Sequence, residues 1–295
     1  MGEFIAFDIG GTYIKYGLID NQSHILEQNK VKTPNELEEL LTILQNYANL
    51  HKRAKGVAIS IPGAVSDDGF VYGKSAISYI HGPNMKQLIE QRTNLPVYIE
   101  NDANCAGYAE MWGGSAKGKK DVIVMAIGTG IGGAIIKEGV IHKGANLHGG
   151  EFGFMLLSLD RDIEENTWVR MDSTVSMIKK VAKKKNVPYE SLSGEDVFKL
   201  AENGDEICIK AVDLFYHKLA IGIFNLQYIY DPEVILLSGG ISARADLIHC
   251  IYKKLDSVIQ SMPNATVRPV IDFCKYRQNA NLIGAVYGLK QQFYS

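Results

Sequence analysis

The chain has 295 residues, of which 46% are hydrophobic and 22% are charged, and a chain of this size can bury the cores of two ordinary domains. Its formal net charge of −2 and its pI near 6.4 give no basic surface for nucleic acid or for an anionic membrane. The apolar runs are far shorter than the ~20 residues that cross a bilayer, and no basic segment precedes the first one. We therefore expect a cytoplasmic protein with no nucleic-acid or membrane partner.

The first half of the chain alternates apolar strand patterns with helical patterns, which predicts an α/β domain. The opening strands are joined by glycine and Asn-Gln-Ser turns and predict an antiparallel meander. The expected elements are strands at 3–8, 12–20 and 23–32, a helix after Thr33-Pro34-Asn35, a strand in 56–65, a helix at 84–93, a strand at 97–101 and a helix from Asp102 to Gly113-Gly114.

The second half begins after a polar, hinge-like linker at 115–120 and again alternates strands with helices. The expected elements are strands at 121–127 and 132–137, helices near 172–186, 194–203 and 205–229, a strand in 232–242, a strand near 267–273 and a helix at 281–293. The four cysteines, Cys105, Cys208, Cys250 and Cys274, form no C-x-x-C pair, so we expect core thiols rather than disulfides or a zinc cluster.

Three glycine turns follow apolar strands, at Gly10-Gly11-Thr12, at 128–133 and at Gly239-Gly240. Glycine reaches unusual backbone dihedrals and leaves N–H groups unshielded, so such turns can approach a polyanion closely. The string Gly128-x-Gly130-x-x-Gly133 also matches the dinucleotide fingerprint, but that motif needs a helix directly after the glycines. The β-rich segment AIIKEGVI follows here, which predicts a hairpin instead. Glycine turns in both halves of the chain predict a phosphate site held between two domains.

Asp102 is the residue that we expect to carry chemistry, because it lies where the strand VYIEN meets a helix. The helix dipole keeps a carboxylate ionised at this position, as a base that accepts a hydroxyl proton requires. A purely structural role is open as well, since either Asn101 or Asp102 could cap the helix.

The ordered segments FDIGGTYIK, ISIPGAV, ENDANCAGYAE, AIGTGIGGAII, KGANLHGGEFGF and VILLSGGIS resemble the ROK family of bacterial sugar kinases, within the superfamily of hexokinase, actin and heat-shock chaperone ATPases. The resemblance spans nearly the whole chain. It implies a two-domain, ribonuclease H-like α/β fold with a central cleft that closes over ATP and sugar. The implied domains are 1–117 and 118–278, with a last helix at 279–295 packing on the first domain, and the implied assembly is a homodimer.

The same resemblance implies roles for individual residues. Asp102 is implied as the general base, and Asp8 as the residue that places Mg²⁺ through water. The implied ATP-binding residues are Asp8, Gly10, Gly11, Thr12, Lys15, Gly128, Thr129, Gly130, Gly132, Gly239 and Gly240. The implied sugar-binding residues are Gly63, Asn84, Asn101, Asp102 and Glu151, and His148 in the same glycine-rich loop is a further candidate whose alternative is a solvated loop histidine.

The segment after Glu151 departs from the typical family pattern. Phe154 occupies the position of a histidine, and Trp168, Val169 and Arg170 stand where a second glutamate would be. The family's zinc cysteines are missing, so we expect no zinc site. A phenyl ring in place of an imidazole favours an apolar group on the sugar, and EFGFMLL resembles the segment of N-acetylmannosamine kinases. N-acetylmannosamine is therefore the expected acceptor, with a β-glucoside or glucose as alternatives.

A ROK-type transcriptional regulator, which senses sugar without phosphorylating it, is the alternative of another class. Such regulators carry a helix-turn-helix ahead of the first phosphate motif, whereas Asp8 lies near the start of this sequence. Asp102 and both phosphate turns favour the kinase.

Overall fold

The computed structural model describes residues 2–158, 163–276 and 279–294. Its strands are β1 (Glu3–Ile9), β2 (Tyr13–Asp20), β3 (Ile25–Lys32), β4 (Val57–Ile61), β5 (Ala64–Val65), β6 (Val71–Tyr72), β7 (Val97–Asn101), β8 (Val122–Ile127), β9 (Ile131–Lys137), β10 (Val140–Ile141), β11 (Val234–Ser238) and β12 (Ile271–Phe273). Its α-helices are α1 (Leu37–Leu50), α2 (Met85–Thr93), α3 (Asp102–Gly113), α4 (Trp168–Asp172), α5 (Thr174–Lys185), α6 (Gly194–Glu202), α7 (Glu206–Tyr230), α8 (Leu247–Gln260) and α9 (Ala280–Phe293).

Two five-stranded sheets have the same strand order. The first is β3-β2-β1-β4-β7, with β1, β2 and β3 antiparallel and β1, β4 and β7 parallel. The second is β10-β9-β8-β11-β12, in which β8, β11 and β12 are parallel. In each sheet the strands are therefore arranged third, second, first, fourth and fifth in chain order, which is the ribonuclease H-like arrangement. The predicted fold class is confirmed.

The chain divides into two compact units. The first consists of Met1–Lys119, Ala134–Gly149 and Lys275–Ser295, and the second of Lys120–Gly133 and Gly150–Cys274. The domain limits expected from the sequence remain a prediction, and the limit at residue 278 lies outside the described residues.

The first sheet separates two hydrophobic cores in the first unit. Ile5, Phe7 and Ile9 of β1 point to one face, where α1 and α2 cover them. Phe4 and Ala6 point to the opposite face, which is covered by α3 and α9. This alternation follows from the two-residue period of a strand. By the same period, polar residues at the strand ends that are in register on neighbouring strands lie in a row on one face of the sheet.

Several elements differ from the sequence-based expectation. Helix α8 is an amphipathic helix in a stretch for which no element is expected, and α4 precedes the expected helix near 172–186, which corresponds to α5. The strand in 56–65 is expected to end in a Pro-Gly turn, and β4 does end at Ile61, before Gly63 with its φ of 115°; only the short strand β5 after this turn is not expected. Among the described residues, no helix has both the length and the apolar character that crossing a membrane requires.

Candidate active site

The carboxyl end of the first sheet carries a row of polar residues on adjacent strands. Asp8 of β1 is the register partner of Ser60 of β4, and Ser60 is the partner of Glu100 of β7. Neighbouring strands lie about 4.8 Å apart, so Asp8 and Glu100 are separated by roughly 10 Å along this row. In open α/β sheets, ligands bind outside the carboxyl ends of the strands, which is where this row ends.

Asp8 is held in place by three neighbours in the first unit. Its Oδ1 accepts hydrogen bonds from Ser60 Oγ at 2.9 Å and from Asn281 Nδ2 at 3.0 Å. Its Oδ2 lies 3.9 Å from Lys15 Nζ, and Lys15 is the register partner of Asp8 across the hairpin. The side chain of Asp8 is 15% exposed and that of Lys15 is 41% exposed. Two predicted ATP-binding residues therefore form one charged pair at the end of the sheet.

The turn between β1 and β2 contains Gly10, Gly11 and Thr12. The Gly10 N–H donates to Tyr13 O at 3.1 Å, and Thr33 braces the turn by donating its hydroxyl to Gly10 O at 2.6 Å and its N–H to Thr12 O at 3.0 Å. Gly10 and Gly11 do not adopt positive φ. The expectation of unusual dihedrals is wrong at this turn, and lack of a side chain is the property of glycine that matters here.

Asn101, and not Asp102, is the N-cap of α3. Asn101 Oδ1 accepts the N–H groups of Ala103 at 2.9 Å and Asn104 at 3.2 Å, and its Nδ2 donates to Gly63 O at 3.0 Å. Asp102 is the first residue of the helix, is exposed, and accepts the Ala103 N–H through Oδ1 at 2.8 Å. Asn101 therefore performs the capping role that the sequence leaves open between Asn101 and Asp102.

The structure joins Gly63 to Asn101 but gives Asn84 a structural task. Asn84 caps α2 by accepting the Gln87 N–H at 2.9 Å, and its Nδ2 donates to Asp68 O at 2.9 Å. The two polar ends of this side chain are thus bonded to the first turn of α2 and to the turn between β5 and β6. His148 lies in the loop 143–149, is exposed, and its Nδ1 is 2.6 Å from Asn146 O.

In the second unit, the turn after β8 leaves space beside its glycines. A Cβ placed on Gly128 would meet no atom within 4 Å, and one on Gly130 or Gly132 would meet its nearest neighbour at 3.8 and 4.0 Å. Gly128 N–H donates to Gly130 O at 2.9 Å, and Gly128 O accepts from Thr174 N at the start of α5. The turn containing Thr129 is therefore fixed from one side and open on the other.

The third glycine turn lies next to the second. Ser238 at the end of β11 is the register partner of Ala126 in β8, so both turns leave the same edge of the second sheet. Gly239 has a φ of 89°, and a Cβ there would lie 2.2 Å from Ile127 O. Gly240 has open space instead. The structure thus brings together the two sets of glycines predicted to hold phosphate and adenosine.

Glu151 and Phe154 are both exposed at the start of the unusual segment in the second unit. Glu151 is the N-cap of a short 3-10 helix, and Phe154 is the last residue of that helix and is 71% exposed. Further along, Trp168 is fully buried against Gly222, while residues 159–162 of this segment lie outside the described residues. In the described ranges, no three His, Cys, Asp or Glu side chains could hold a metal ion together. The expected lack of a zinc site stays a prediction.

Glu100 and Lys143 are the buried charges beside the site that the sequence analysis did not assign. Glu100 is 1% exposed and Lys143 is 17% exposed, and Lys143 Nζ lies 2.9 Å from Glu100 Oε2. Burial alone would lower the pKa of Lys143, but the carboxylates of Glu100 and Asp67 outweigh burial and raise it. Both residues fall within recognised motifs, yet the spacing of 43 positions between them carries no signal that they pair.

The pKa of the Cys105 thiol reflects the negative charges at the carboxyl edge of the first sheet. Burial raises its pKa well above the usual value, and the negative charges of Glu100, Asp8 and Asp102 raise it further. The thiol is therefore protonated, as a core cysteine is. The four cysteines form no disulfide; Cys105, Cys208 and Cys274 are buried, and Cys250 is partly buried.

Comparison with known proteins identifies the family. The family model described as "ROK family" matches residues 4–292. A β-glucoside kinase of Klebsiella pneumoniae is 32% identical over 297 residues, which cover 99% of this chain and 98% of that protein. The crystal structure of a ROK family protein from Streptococcus pneumoniae in complex with sucrose is 35% identical, with a TM-score of 0.91 and 98% of each chain covered.

A second solved structure, from Listeria monocytogenes, is of a protein proposed to be an N-acetylmannosamine kinase. It is 30% identical, with a TM-score of 0.87, and the alignment covers 98% of this chain and 99% of that one. The family match covers nearly every element described above, and the relatives are aligned along almost their full length. This chain belongs to the ROK family.

Proposed function

We propose that this protein is an ATP-dependent sugar kinase that phosphorylates the primary (6-) hydroxyl of a hexose or an N-acetylhexosamine. The observation that carries the proposal is the exposed Asp102 carboxylate at the start of α3 and at the carboxyl edge of the sheet. Asn101 performs the capping of this helix, so Asp102 is not required as its N-cap. A kinase base needs this position because it must meet a hydroxyl group outside the sheet.

The glycine turns of the second unit supply the proposed nucleotide site. The turn that contains Gly128, Thr129, Gly130 and Gly132 would hold the phosphates, and Gly239-Gly240 would lie against the adenosine. Open space at the Cβ positions of Gly128, Gly130, Gly132 and Gly240 supports this assignment, since a ligand could fill it. Gly10, Gly11, Thr12 and Lys15 of the first unit would bind the transferred phosphoryl group.

The residues at the end of β1 also fit a magnesium ion. Mg²⁺ prefers carboxylate oxygens and keeps several waters, and Asp8 presents a partly exposed carboxylate that Ser60 and Asn281 orient. Asp8 would hold the ion through water. When bound, the ion neutralises charge on the phosphates of ATP.

The chain's own residues then perform the transfer. Asp102 accepts the proton of the sugar hydroxyl as its oxygen forms a bond to the γ-phosphorus, and the bond from that phosphorus to the bridging oxygen of ADP breaks. Lys15 and the glycine N–H groups stabilise the negative charge on the phosphoryl oxygens. Asn101, fixed to Gly63 O, would orient the sugar beside Asp102 together with Gly63, Glu151, Asn84 and His148.

Replacement of the proposed base tests this mechanism. We expect Asp102→Asn to lower kcat by about 100- to 10,000-fold, because the amide cannot accept the proton, and to leave ATP affinity unchanged. Glu206→Gln is a matched control, since it also removes a carboxylate from the first position of a helix. Turnover of Asp102→Asn close to that of the unchanged protein would reject Asp102 as the base.

For the acceptor, we propose a β-glucoside first and N-acetylmannosamine second. The exposed Phe154 ring next to Glu151 offers apolar surface to a group attached to the sugar, and the similarity to a β-glucoside kinase over 99% of the chain supports a linked sugar. The Listeria structure supports the N-acetylated alternative.

A panel of sugars in a coupled ADP-release assay distinguishes these acceptors. We expect kcat/KM to be highest for a β-glucoside such as cellobiose, lower for N-acetylmannosamine and lowest for free glucose. A preference for free glucose over both would reject the apolar-group argument. No ADP release with any hexose, together with measurable sugar binding, would favour a non-catalytic sugar sensor. We also propose a cytoplasmic homodimer, which light scattering of the purified protein tests for its dimeric state.

A further inference from the structure

Lys143 joins three segments of the first unit that contain proposed sugar-binding residues. Its ammonium group lies 2.9 Å from Glu100 Oε2, 2.8 Å from Asp67 Oδ1 and 3.2 Å from Val65 O. Val65 and Asp67 follow Gly63 along the chain, and Glu100 directly precedes Asn101. Lysine is rarely buried unless it is paired, and here all three contacts are to groups that border the proposed sugar site.

Glu100 connects Lys143 to the end of β7, next to the proposed base Asp102. Its Oε1 accepts the backbone N–H of Asn101 at 2.8 Å and Asn104 Nδ2 at 3.0 Å. Its Oε2 accepts the hydroxyl of Tyr98 at 3.2 Å as well as the Lys143 ammonium. The carboxylate thus binds the last residue of β7 and the first turn of α3 at once. A shift of Glu100 would therefore move Asn101 and the adjoining Asp102.

Lys143 also begins the loop that carries His148. Lys143 O accepts the Gly149 N–H at 2.8 Å, which closes the loop 143–149 at its base. A Cβ on Gly149 would lie 2.2 Å from His142 O, so the closure leaves no room for a side chain. Anchoring Lys143 consequently anchors the whole loop, from Gly144 to Gly149, relative to β7.

We propose that Lys143 is a positioning residue for the sugar, which acts through Glu100 to hold Asn101 and Asp102 in register with the loops 63–67 and 143–149. The inference rests on the proposed function. A buried ion pair contributes geometry more than stability, because the desolvation of both charges offsets their attraction. Loss of the Lys143–Glu100 ion pair should thus impair sugar binding and turnover more than ATP binding.

Kinetics of two folded variants test the proposal. In Lys143→Met combined with Glu100→Gln, both charges are replaced by neutral groups of similar size, so no uncompensated charge is buried. We expect the KM for the acceptor sugar to rise, or kcat to fall, by about 10- to 100-fold, because small misplacements of reacting groups are costly. The KM for ATP should stay unchanged. Lys143→Arg keeps the charge and should retain more activity than the neutral pair.

Chemical rescue separates a positioning role from a merely structural one. Lys143 lines a cavity of about 740 Å³ that Lys86, Tyr98, Glu100 and Tyr108 also line. In Lys143→Ala, added ethylammonium can therefore reach Glu100 and should restore sugar turnover, whereas tetramethylammonium, which has no N–H donor, should not. Lys86→Met is the matched control, since Lys86 lines the same cavity with its ammonium 5.8 Å from the Phe293 ring, and should behave like the unchanged protein.

The outcomes distinguish this inference from the proposed function. If the unchanged protein phosphorylates a sugar and the neutral pair keeps its sugar KM and kcat, the positioning role is wrong and the kinase assignment stands. Equal losses for sugar and ATP, or no rescue by ethylammonium, would also overturn the positioning role. If the unchanged protein phosphorylates no sugar, the proposed function and this inference are rejected together.

Discussion

Single residues decide which glycines of the proposed nucleotide site serve the fold and which serve the ligand. Gly239 combines a φ of 89° with a Cβ position 2.2 Å from Ile127 O, so the backbone itself requires glycine there. Gly240 has neither constraint, since its φ is not positive and its Cβ position is open. In the sequence the two glycines look equivalent, and their different backbone conformations and surroundings become visible only in the structure.

This difference predicts opposite results for two adjacent substitutions. Gly239→Ala should lower the free energy of unfolding by about 1–3 kcal/mol, because alanine is strained at this φ and overlaps the β8 backbone. Gly240→Ala should change it by less than about 0.5 kcal/mol. Its methyl group should instead raise the KM for ATP by about tenfold, which corresponds to about 1.4 kcal/mol.

Urea unfolding and initial-rate kinetics measure the two effects separately. Each variant is the control for the other, because the same methyl group is added one residue apart. A stable Gly239→Ala protein, or a Gly240→Ala protein with normal ATP kinetics, would contradict the assignment of that glycine.

At the same scale, sequence motifs predicted the residues but not their partners. Asp8, Asn101 and Asp102 could be named as candidates because each lies at or next to a strand end within a recognised motif. Which of Asn101 and Asp102 caps α3 could be decided only from the hydrogen-bond distances in the structure. Asn281 and Lys143 gave no local signal, since their partners Asp8 and Glu100 are distant in sequence. Long-range polar pairing is a property of the folded chain.

At the scale of elements, α3 and α9 pack with their backbones in close approach. A Cβ on Gly284 of α9 would lie 1.6 Å from Cys105 O and 2.9 Å from Ala109 N of α3. Gly284 therefore sets the spacing of the two helices that cover one face of the first sheet.

Gly284→Ala should consequently destabilise the protein strongly. We expect the free energy of unfolding to fall by about 1–3 kcal/mol or more, because the added methyl group forces the helices apart in a packed core. Gln292→Ala, at an exposed position of the same helix, should change it by less than about 0.5 kcal/mol. The two values come from urea unfolding followed by circular dichroism, and equal stability of both variants would show that the helices can separate without cost.

Most elements could be predicted from periodicity, and the exceptions have physical reasons. The strands β1, β2, β4, β7, β8 and β11 are apolar runs ended by glycine or polar residues, which is a strong local signal. Helix α8 is the exception that the sequence does signal, because Asp246 is a residue type favoured at N-caps and the buried Leu247, Ile251 and Leu255 recur at helical spacing. The strands β5, β6 and β10 have only two residues each, and their formation depends on tertiary contacts.

At the scale of the whole molecule, one topology occurs twice in a single chain. Both sheets place glycine turns at carboxyl strand ends, the first sheet also carries Asp8 and Glu100 there, and the two sheets carry different ligands in the proposed function. The repeated order could be expected from the family resemblance. The division into units could not be read from composition, because the segment Ala134–Gly149 returns to the first unit without a linker-like sequence before it.

The place of α9 in the first unit has a consequence for synthesis on the ribosome. Phe4, Ala6 and Ala58 are covered on one face by a helix that is translated after residues 114–279. At 5–20 residues per second, the ribosome needs about 10–30 seconds to make that stretch. During this interval α3 but not α9 can cover this apolar face of the first sheet, so part of the face stays open to solvent until α9 has been made.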